Sequence, residues 1–368
     1  MATAAVLTGV GSPLEVRDDV EVAPPGPGEV RVKTGASGVC HSDLSVQNGT
    51  IPLPTPIVLG HEGAGTVLEV GEGVTGVAPG DRVVLSFVPQ CQECYFCKRG
   101  QGFLCEKSAM AAMGGMLDGS TRLTSQGGAL HQMAMCGTYS SELIAPEISM
   151  VKIADDVPLK VAALIGCGVL TGVGAALNTA DIHEGDTVAV IGCGGVGLNV
   201  IQGAKLAGAA NIVAIDMFDH KLELATQFGA THCVKAGEQD ATGVITGATG
   251  GRLADSVFEV IGLEQTMNQA IDLCRQGGEV VLVGVPRMDV MMHLPAAFTF
   301  LYLNKSIKGC WYGSANVNTD VPKLLGLYSD GKLMLDELIS AEIDQDGING
   351  AFEAMGTGEV ARSVVVYE

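Results

Sequence analysis

Positive charge is scarce in this chain. Only 21 Lys and Arg residues face 41 Asp and Glu residues, which gives a formal net charge of −20. A field of that sign repels nucleic-acid phosphates and anionic lipid headgroups, so we expect neither a nucleic acid nor a membrane as a partner. An anionic ligand would have to be held by backbone amides and a few local cations.

The sequence also lacks the pattern of an export signal and has no unbroken apolar span. Residues 1–16 have no basic head followed by an apolar core, and Glu15 comes early, so they do not fit a signal peptide. Residues 161–180 carry no charge, but four glycines and Asn178 interrupt them, which favours a buried core segment over a membrane helix. We therefore expect a cytoplasmic protein whose 11 cysteines are metal ligands or core thiols rather than disulfides.

The alternation of apolar runs and turns predicts two kinds of β structure. The chain has 368 residues, 47% of them hydrophobic, which suits two compact domains. Short β-rich runs separated by turns over residues 29–88 predict an antiparallel, partly barrel-like domain. From about Asp186, strands and helices alternate, which predicts a doubly wound parallel sheet with strands at 187–191, 211–215, 254–260 and 279–283 and helices at 198–207 and 221–228.

A Gly-rich turn, Gly192-x-Gly194-x-x-Gly197, follows the first strand of this second region and opens a helix. The glycines allow a tight turn and a close approach of a pyrophosphate, and the helix N-terminus offers amides to its phosphates. Asp216 stands nineteen residues beyond Gly197, where an acidic residue meets the ribose 2′-hydroxyl of a dinucleotide. A carboxylate there repels a 2′-phosphate, so the pattern favours NAD over NADP. Lys221 either lies along the adenosine or is a solvated lysine on the helix surface.

Four cysteines, Cys91, Cys94, Cys97 and Cys105, stand within fifteen residues. Four thiolates complete a tetrahedral Zn²⁺ shell and leave no open position, so this spacing predicts a structural zinc. The first three also resemble an iron–sulfur cluster loop, which leaves a metal-binding interaction module as an alternative. The fourth cysteine follows after seven intervening residues and precedes no proline, which favours zinc.

Three further candidate ligands, Cys40, His61 and Cys167, each stand in a turn that contains glycine. Two thiolates and one imidazole leave a fourth position for substrate, which is the Cys₂His arrangement of a catalytic zinc. Isolated Cys and His residues are more often core residues than ligands, so the spacing by itself leaves both interpretations open.

Several motifs occur together in one order along the chain, and together they resemble the zinc-dependent medium-chain alcohol dehydrogenases over nearly its whole length. They are Gly38-Val-Cys40-His-Ser42-Asp43, Gly60-His61-Glu62-Gly-Ala-Gly65, the four-cysteine run, Gly166-Cys167-Gly168 and Gly192-Cys-Gly-Gly-Val-Gly197. The resemblance implies an α/β protein with a GroES-like, mostly antiparallel β catalytic domain and a Rossmann NAD domain. The implied boundaries are 1–168 for the catalytic domain with a structural-zinc lobe at about 91–105, 169–311 for the NAD domain, and 312–368 for a return to the catalytic domain.

The same resemblance implies roles for single residues around the catalytic metal. Cys40, His61 and Cys167 would be its ligands, in agreement with the open Cys₂His set. Asp43 resembles the carboxylate that orients the histidine, and Glu62 resembles an acid close behind the metal. Ser42 resembles the hydroxyl that takes the substrate proton. The implied substrate pocket is lined by three apolar residues, Ile51, Phe87 and Met133.

On the coenzyme side, Thr171 and Val196 resemble residues that pack against the nicotinamide, and Arg362 resembles a phosphate contact. His41 stands where the family often has an arginine against the pyrophosphate. The remaining implied coenzyme contacts are Gly192, Gly194, Gly195, Gly197, Asp216, Lys221 and Val285.

The implied activity is reversible oxidation of primary or secondary alcohols to aldehydes or ketones, with hydride transfer to NAD and two zinc ions per subunit, one catalytic and one structural. The 62 residues from Cys105 to Cys167 match the longer, dimeric members, so we expect a homodimer joined near residues 298–311. One alternative is a nicotinoprotein that retains NAD and uses an external acceptor. Another is a thiol-dependent formaldehyde dehydrogenase, but Gly49 and Ala109 replace the Asp and Arg that bind the thiol adduct.

Two departures from the family pattern carry expectations of their own. Ser45 stands where many relatives end the proton relay with a histidine, so we expect a different or water-mediated proton exit. His41 is only partly charged at neutral pH, so we expect looser NADH binding than an arginine would give.

Overall fold

The computed structural model describes residues 1–111, 113–358 and 362–367. They form two compact units, one of Met1–Gly168 with Asn316–Glu368 and the other of Val169–Ala315. The chain therefore returns to the first unit at Asn316, whereas the sequence predicted a return at residue 312. The physical reason is that Gly313 packs against the backbone of Leu170 in the second unit.

The strands are β1 (Ala2–Leu7), β2 (Glu15–Val22), β3 (Glu29–Gly38), β4 (Ile57–Val58), β5 (Glu62–Val70), β6 (Arg82–Leu85), β7 (Leu123–Ser125), β8 (Gly128–Gln132), β9 (Glu142–Pro146), β10 (Met150–Ile153), β11 (Thr187–Ile191), β12 (Asn211–Asp216), β13 (His232–Lys235), β14 (Ala254–Glu259), β15 (Cys274–Leu282), β16 (Ser306–Gly309), β17 (Ala341–Ile343) and β18 (Ser363–Val366).

The α-helices are α1 (His41–Gln47), α2 (Ser108–Ala111), α3 (Leu159–Leu164), α4 (Leu170–Gly174), α5 (Gly195–Ala207), α6 (Asp219–Phe228), α7 (Ala241–Thr249), α8 (Glu264–Leu273), α9 (Val317–Ser329) and α10 (Ile348–Thr357). Shorter 3₁₀ turns and π-helical segments occur at Cys97–Arg99, Gly102–Leu104, Met133–Met135, Glu147–Ser149, Ile165–Val169, Ala175–Thr179, Ala297–Tyr302, Tyr312–Ser314 and Asp336–Leu338.

The first unit is built from antiparallel β structure, as the sequence predicted. A closed barrel has the strand order β1-β2-β7-β8-β4, and a second sheet has the order β10-β6-β5-β3-β18-β17 with β9 also on β3. The parallel pairs here are β4 with β8 and β17 with β18. Strand β18 pairs with the end of β3, and the amide of Val39 donates to the carbonyl of Ser363 at 2.9 Å. The C-terminal strand is thereby placed beside the loop that carries Cys40.

The second unit contains a six-stranded parallel sheet with the order β13-β12-β11-β14-β15-β16. This is the strand order of a dinucleotide-binding fold, so the predicted α/β class is confirmed. Strand β11 has the predicted bounds, whereas α5 begins at Gly195, three residues earlier than predicted. The earlier start arises because the amide of Leu198 already bonds the carbonyl of Gly194 at 2.9 Å.

The helical run Leu159–Thr179 is both long and apolar. Among the described residues, Leu159–Thr179 is the run that is long and apolar enough to cross a membrane by those criteria alone. Its most apolar window is 83% buried within the protein, which is the behaviour of a core helix. The prediction of a buried core segment at 161–180 is therefore confirmed.

Candidate functional site

The first candidate metal centre lies where three separate parts of the first unit meet. Cys40 immediately precedes α1, His61 and Glu62 stand at the start of β5, and Cys167 lies in the π-helical segment after α3. Their ligand atoms all lie within 4.8 Å of one another, and all four residues are buried. The structure therefore brings the three predicted ligands together and adds a carboxylate to them.

Gly60 explains how His61 reaches this position. Its φ of +87° lies in the left-handed region, which a side chain disfavours. A Cβ on Gly60 would also stand 2.7 Å from the ring of Tyr139 and 2.5 Å from the hydroxyl of Thr138. Only glycine fits this turn, and the turn directs the next residue into the metal centre.

Asp43 is fully buried behind the centre and accepts four hydrogen bonds. Its Oδ1 accepts from Nδ1 of His61 at 3.1 Å and from the amide of Gly60 at 3.0 Å. Its Oδ2 accepts from the amide of Cys40 at 3.1 Å and from the hydroxyl of Tyr139 at 3.0 Å. The carboxylate thus touches His61 as the resemblance implied, while Tyr139 is a partner that sequence reasoning missed.

Glu62 and Arg362 form a buried ion pair at the same centre. Nη2 of Arg362 donates to Oε1 of Glu62 at 2.6 Å, and Nη1 donates to the carbonyl of Val39 at 3.2 Å. Oε2 of Glu62 is buried and has no hydrogen-bond partner among the described residues. Burial raises the pKa of Glu62 to about 8 even though Arg362 opposes the shift. The implied phosphate contact of Arg362 is untested by these bonds and stays a prediction.

Hydrogen bonds, burial and neighbouring charges shift the pKa values of the ligand side chains in different directions. The hydrogen bond from Cys167 is the largest cause of a pKa of Cys40 well below its usual value, and the same bond raises the pKa of Cys167. Burial lowers the pKa of His61, but Asp43 and Cys40 together raise it well above its usual value. Because thiols and imidazolium must lose protons to become ligands, a cation binding here would release protons.

These features fit a divalent zinc ion. Two sulfur atoms, one nitrogen and one carboxylate oxygen converge in a buried space, and the imidazole is held from behind by a carboxylate. That combination is the ligand type and the supporting shell that zinc takes in proteins.

Two of the residues proposed to meet the substrate, Ser42 and Phe87, lie beside this centre. Oγ of Ser42 is 3.9 Å from Sγ of Cys40, and the ring of Phe87 meets that of His61 edge-on with centroids 5.6 Å apart. Ile51, Phe87 and Met133 all pack with the apolar cluster of the barrel. His41 is exposed on the first turn of α1.

The second candidate metal centre is the four-cysteine loop. The four sulfur atoms lie within 4.8 Å of one another, and Sγ of Cys91 is 4.0 Å from Sγ of Cys97. Two thiolates on a tetrahedral zinc are about 3.8 Å apart, given a Zn–S bond near 2.3 Å. The loop geometry therefore fits a closed thiolate site, as the spacing predicted.

Backbone amides and burial act in opposite directions on these thiols. The amide of Cys97 donates to Sγ of Cys94 at 3.5 Å and is the largest cause of a pKa of Cys94 lowered to about 6. Burial raises the pKa of Cys97 to about 12. The amide favours a thiolate at one position, whereas the other thiol needs a bound cation to lose its proton.

The Gly-rich turn has the geometry of a dinucleotide site. Gly192 has φ +98°, and a Cβ on Gly197 would overlap the carbonyl oxygen of Gly192. A Cβ on Gly194, in contrast, would meet nothing within 4 Å, which leaves space above the turn for a phosphate. Asp216 ends β12, and its Oδ2 accepts from the amide of Cys193 at 2.8 Å. The acid therefore also fastens the turn, a role that the sequence pattern did not indicate.

Four other coenzyme candidates, Thr171, Val196, Lys221 and Val285, also lie in the second unit. The helix of Thr171, α4, packs against α5, which begins with Gly195 and Val196. Nζ of Lys221 lies 4.9 Å from the ring centroid of Phe218, just beyond Asp216. Val285 is exposed, and its backbone lies against Gly262.

Two protein-family models match the chain, one within the first unit of the fold and one largely within the second. The description "Alcohol dehydrogenase GroES-like domain" matches residues 26–155, and "Zinc-binding dehydrogenase" matches residues 195–330. Putative alcohol dehydrogenase D of Mycobacterium tuberculosis is 40% identical over 99% of each chain. The NDMA-dependent alcohol dehydrogenase of Amycolatopsis methanolica is 39% identical over 99% of this chain and 98% of its own.

A solved structure gives the same result in three dimensions. Benzyl alcohol dehydrogenase from Acinetobacter calcoaceticus superposes with a TM-score of 0.94 at 30% identity, covering 100% of this chain and 99% of its own. The chain belongs to the zinc-dependent alcohol dehydrogenase family, and it is an enzyme of that type.

Proposed function

We propose that the protein is an NAD-dependent alcohol dehydrogenase that oxidises primary and secondary alcohols reversibly. The observation that carries the proposal is the convergence of Cys40, His61 and Cys167 within 4.8 Å, with Asp43 bonded to the imidazole. These residues would hold the catalytic zinc, and the four-cysteine loop would hold a structural one. When bound, the catalytic zinc supplies a Lewis acid that makes the alcohol hydroxyl easier to deprotonate.

The chain's own residues would position the substrate and move its proton. With Nδ1 of His61 bonded to Asp43, its Nε2 is the nitrogen left to bind a metal. The hydroxyl of Ser42, beside Cys40, would accept the substrate proton and pass it toward the coenzyme ribose. Phe87 packs edge-on against the imidazole and offers an apolar face to the substrate.

A substrate panel tests this function directly. The apolar residues Ile51, Phe87 and Met133 favour medium-sized or aromatic alcohols, and a relative in structure is a benzyl alcohol dehydrogenase. The panel would compare benzyl alcohol, short and medium primary alcohols and secondary alcohols, each with NAD and with NADP, by NADH or NADPH absorbance. We expect the highest kcat/KM for benzyl alcohol or a medium-chain alcohol with NAD.

Coenzyme choice provides a first mutational prediction. Asp216→Asn removes the charge that would repel a 2′-phosphate and weakens the bond to the ribose. The one oxygen of the asparagine amide can still accept from the amide of Cys193, but the bond that Oδ1 accepts from the amide of Phe218 is lost. We expect NAD affinity to fall about tenfold or more and NADP affinity to rise, since hydrogen bonds to charged groups contribute about 1.5–3 kcal/mol. Titration of the holoenzyme with both coenzymes measures the two dissociation constants.

Asp219→Asn is the matched control for this prediction. Asp219 is an exposed carboxylate three residues away that pairs with Lys235 at 2.8 Å. This variant should retain the native coenzyme preference. If Asp216→Asn also retains it, Asp216 does not select the coenzyme.

A second candidate function is favoured by the relative named for NDMA dependence. In that case the nicotinamide coenzyme would remain bound and be reoxidised in place by another acceptor. Denaturing the purified protein and assaying the supernatant for nucleotide separates the two candidates. About one nucleotide per chain after extensive dialysis would favour the second candidate, and none would favour the first.

The expected homodimer remains part of the proposal. Exposed apolar side chains cluster between residues 298 and 311, where β16 is the last strand in the order of the parallel sheet. They include Phe298, Leu301, Tyr302 and Trp311. An edge strand beside exposed aromatic groups suits pairing with a second copy. Light scattering on the purified protein should give about twice the 37.8 kDa mass of the chain, and a monomer mass at micromolar concentration would contradict it.

A further inference from the structure

Tyr139 is one of the largest fully buried side chains of the protein, and its hydroxyl has a specific partner. The ring packs in the apolar cluster of the barrel. The hydroxyl donates to Oδ2 of Asp43 at 3.0 Å. A phenylalanine would fill the same space, so the burial of the ring does not account for the hydroxyl.

The backbone fixes Tyr139 firmly against the turn that carries His61. The amide of Tyr139 donates to the carbonyl of Leu59 at 3.0 Å, and the amide of Thr138 donates to the carbonyl of Gly60 at 3.0 Å. The carbonyl of Tyr139 in turn accepts from the amide of Ala5 at 2.9 Å. The ring also stands against Gly60, where a Cβ would be 2.7 Å from it. The hydroxyl is therefore held in place relative to the imidazole.

Asp43 depends on this hydroxyl to complete its hydrogen bonds. A carboxylate offers about four acceptor positions, and Asp43 fills four. Three donors belong to the metal-centre motifs themselves: the amides of Cys40 and Gly60 and Nδ1 of His61. The fourth donor, Tyr139, is a side chain from the segment before β9.

We propose that Tyr139 is a positioning residue of the catalytic-metal centre, whose hydroxyl fixes Asp43 and through it the orientation of His61 and the affinity of the centre for its metal. This inference rests on the proposed zinc site. Without the hydroxyl, Oδ2 of Asp43 keeps one donor, the amide of Cys40, and the carboxylate gains freedom to rotate. Its bond to Nδ1 of His61 then becomes less well aligned.

The size of the effect follows from the position of Tyr139 behind Asp43, which itself bonds the ligand His61. Mutation of groups that hold a metal ligand directly costs about 10–100-fold in metal affinity. Tyr139 is one hydrogen bond further from the ligand His61 than Asp43 is. We therefore expect Tyr139→Phe to weaken metal binding at this centre by about threefold to tenfold.

The experiment measures metal affinity on the full chain, without alcohol or coenzyme. Zinc is removed from the centre of Cys40, His61 and Cys167 by competition with a chelator, and Co²⁺ is titrated back while its visible absorption is followed. Tyr139→Phe should show the weaker binding and a shifted cobalt spectrum. A structural loss confined to packing would lower the unfolding temperature without moving the spectrum.

Two further variants make the test specific. Tyr367→Phe removes another hydroxyl of the first unit, which donates to the carbonyl of Thr138 at 2.9 Å and does not bond Asp43. It should leave cobalt affinity and spectrum at native values. In an Asp43→Asn background, Tyr139→Phe should add little further loss, because the two residues act through one bond.

The outcomes separate this inference from the proposed function. Native affinity and spectrum in Tyr139→Phe, or an equal loss in Tyr367→Phe, would overturn the role of Tyr139 alone. A native chain that holds metal at the four cysteines but not at the Cys40 centre would overturn the proposed function together with this inference.

Discussion

Cys167→Ser should abolish turnover while the protein remains folded. Cys167 would supply one of two thiolates to the proposed catalytic zinc, at a centre of four buried residues whose ligand atoms lie within 4.8 Å of one another, so its loss should release that ion. Stabilisation of the reacting oxygen by a metal contributes several kcal/mol, and about 4 kcal/mol corresponds to a rate loss of about 1000-fold. The measurement is kcat/KM with the best alcohol of the panel, alongside zinc content and thermal unfolding.

The control for this variant is Cys233→Ser. Sγ of Cys233 is 3.3 Å from the carbonyl of Leu222 and lies outside both metal centres, and a serine hydroxyl can replace that bond. It should retain native activity and two zinc ions per chain. Activity in Cys167→Ser within tenfold of native would show that the chemistry does not depend on this centre.

Cys97→Ser, in contrast, should act mainly on folding and cause a large loss of stability. Cys97 is buried in the four-cysteine loop, and structural zinc contributes about 10–16 kcal/mol to the folding of small zinc peptides. With one ligand lost in a larger protein, we expect the free energy of unfolding to fall by about 3 kcal/mol and the unfolding temperature by about 5–10 °C. Thermal unfolding and zinc content measure both effects.

The four-cysteine loop is hydrogen-bonded to the rest of the first unit, so we expect its loss of structure to destabilise neighbouring elements as well. Oε1 of Gln90, next to Cys91, accepts from the amide of Val317 at 3.2 Å, at the start of α9. Cys136→Ser is the control, because Cys136 is a fully buried thiol outside both centres. It should keep both zinc ions. An unfolding temperature for Cys97→Ser no lower than that of Cys136→Ser would contradict a structural role for the loop.

The second unit was the easier part of the fold to predict from sequence. Its strands are short apolar runs next to glycine turns, and β11 and β12 begin at the predicted residues 187 and 211. The fold class follows because alternating strands and helices admit few topologies. The first unit is harder, since its β18 returns from far along the chain to pair with β3. No local pattern specifies such a long-range partner.

The site shows the same division between local and distant information. The four cysteines are close in sequence, so their spacing predicted their convergence. Cys40, His61 and Cys167 are far apart, and only the family resemblance grouped them. The pairs Glu62–Arg362 and Asp43–Tyr139 were missed because they join residues 300 and 96 positions apart. The hydroxyl of a buried tyrosine needs a hydrogen-bond partner, but the amino-acid sequence does not show which residue that partner is.

The proposed function requires the Cys40 centre to direct hydride from an alcohol carbon to a bound nicotinamide. The most direct measurement incubates the zinc-loaded protein with NAD and benzyl alcohol deuterated at its reacting carbon, then denatures the mixture and weighs the nucleotide by mass spectrometry. Denaturation releases tightly bound coenzyme, so the measurement includes both the exchangeable and the retained nucleotide. We expect singly deuterated NADH from the native protein and none from Cys167→Ser; equal deuterium transfer by both proteins would contradict a role of the Cys40 centre in hydride transfer.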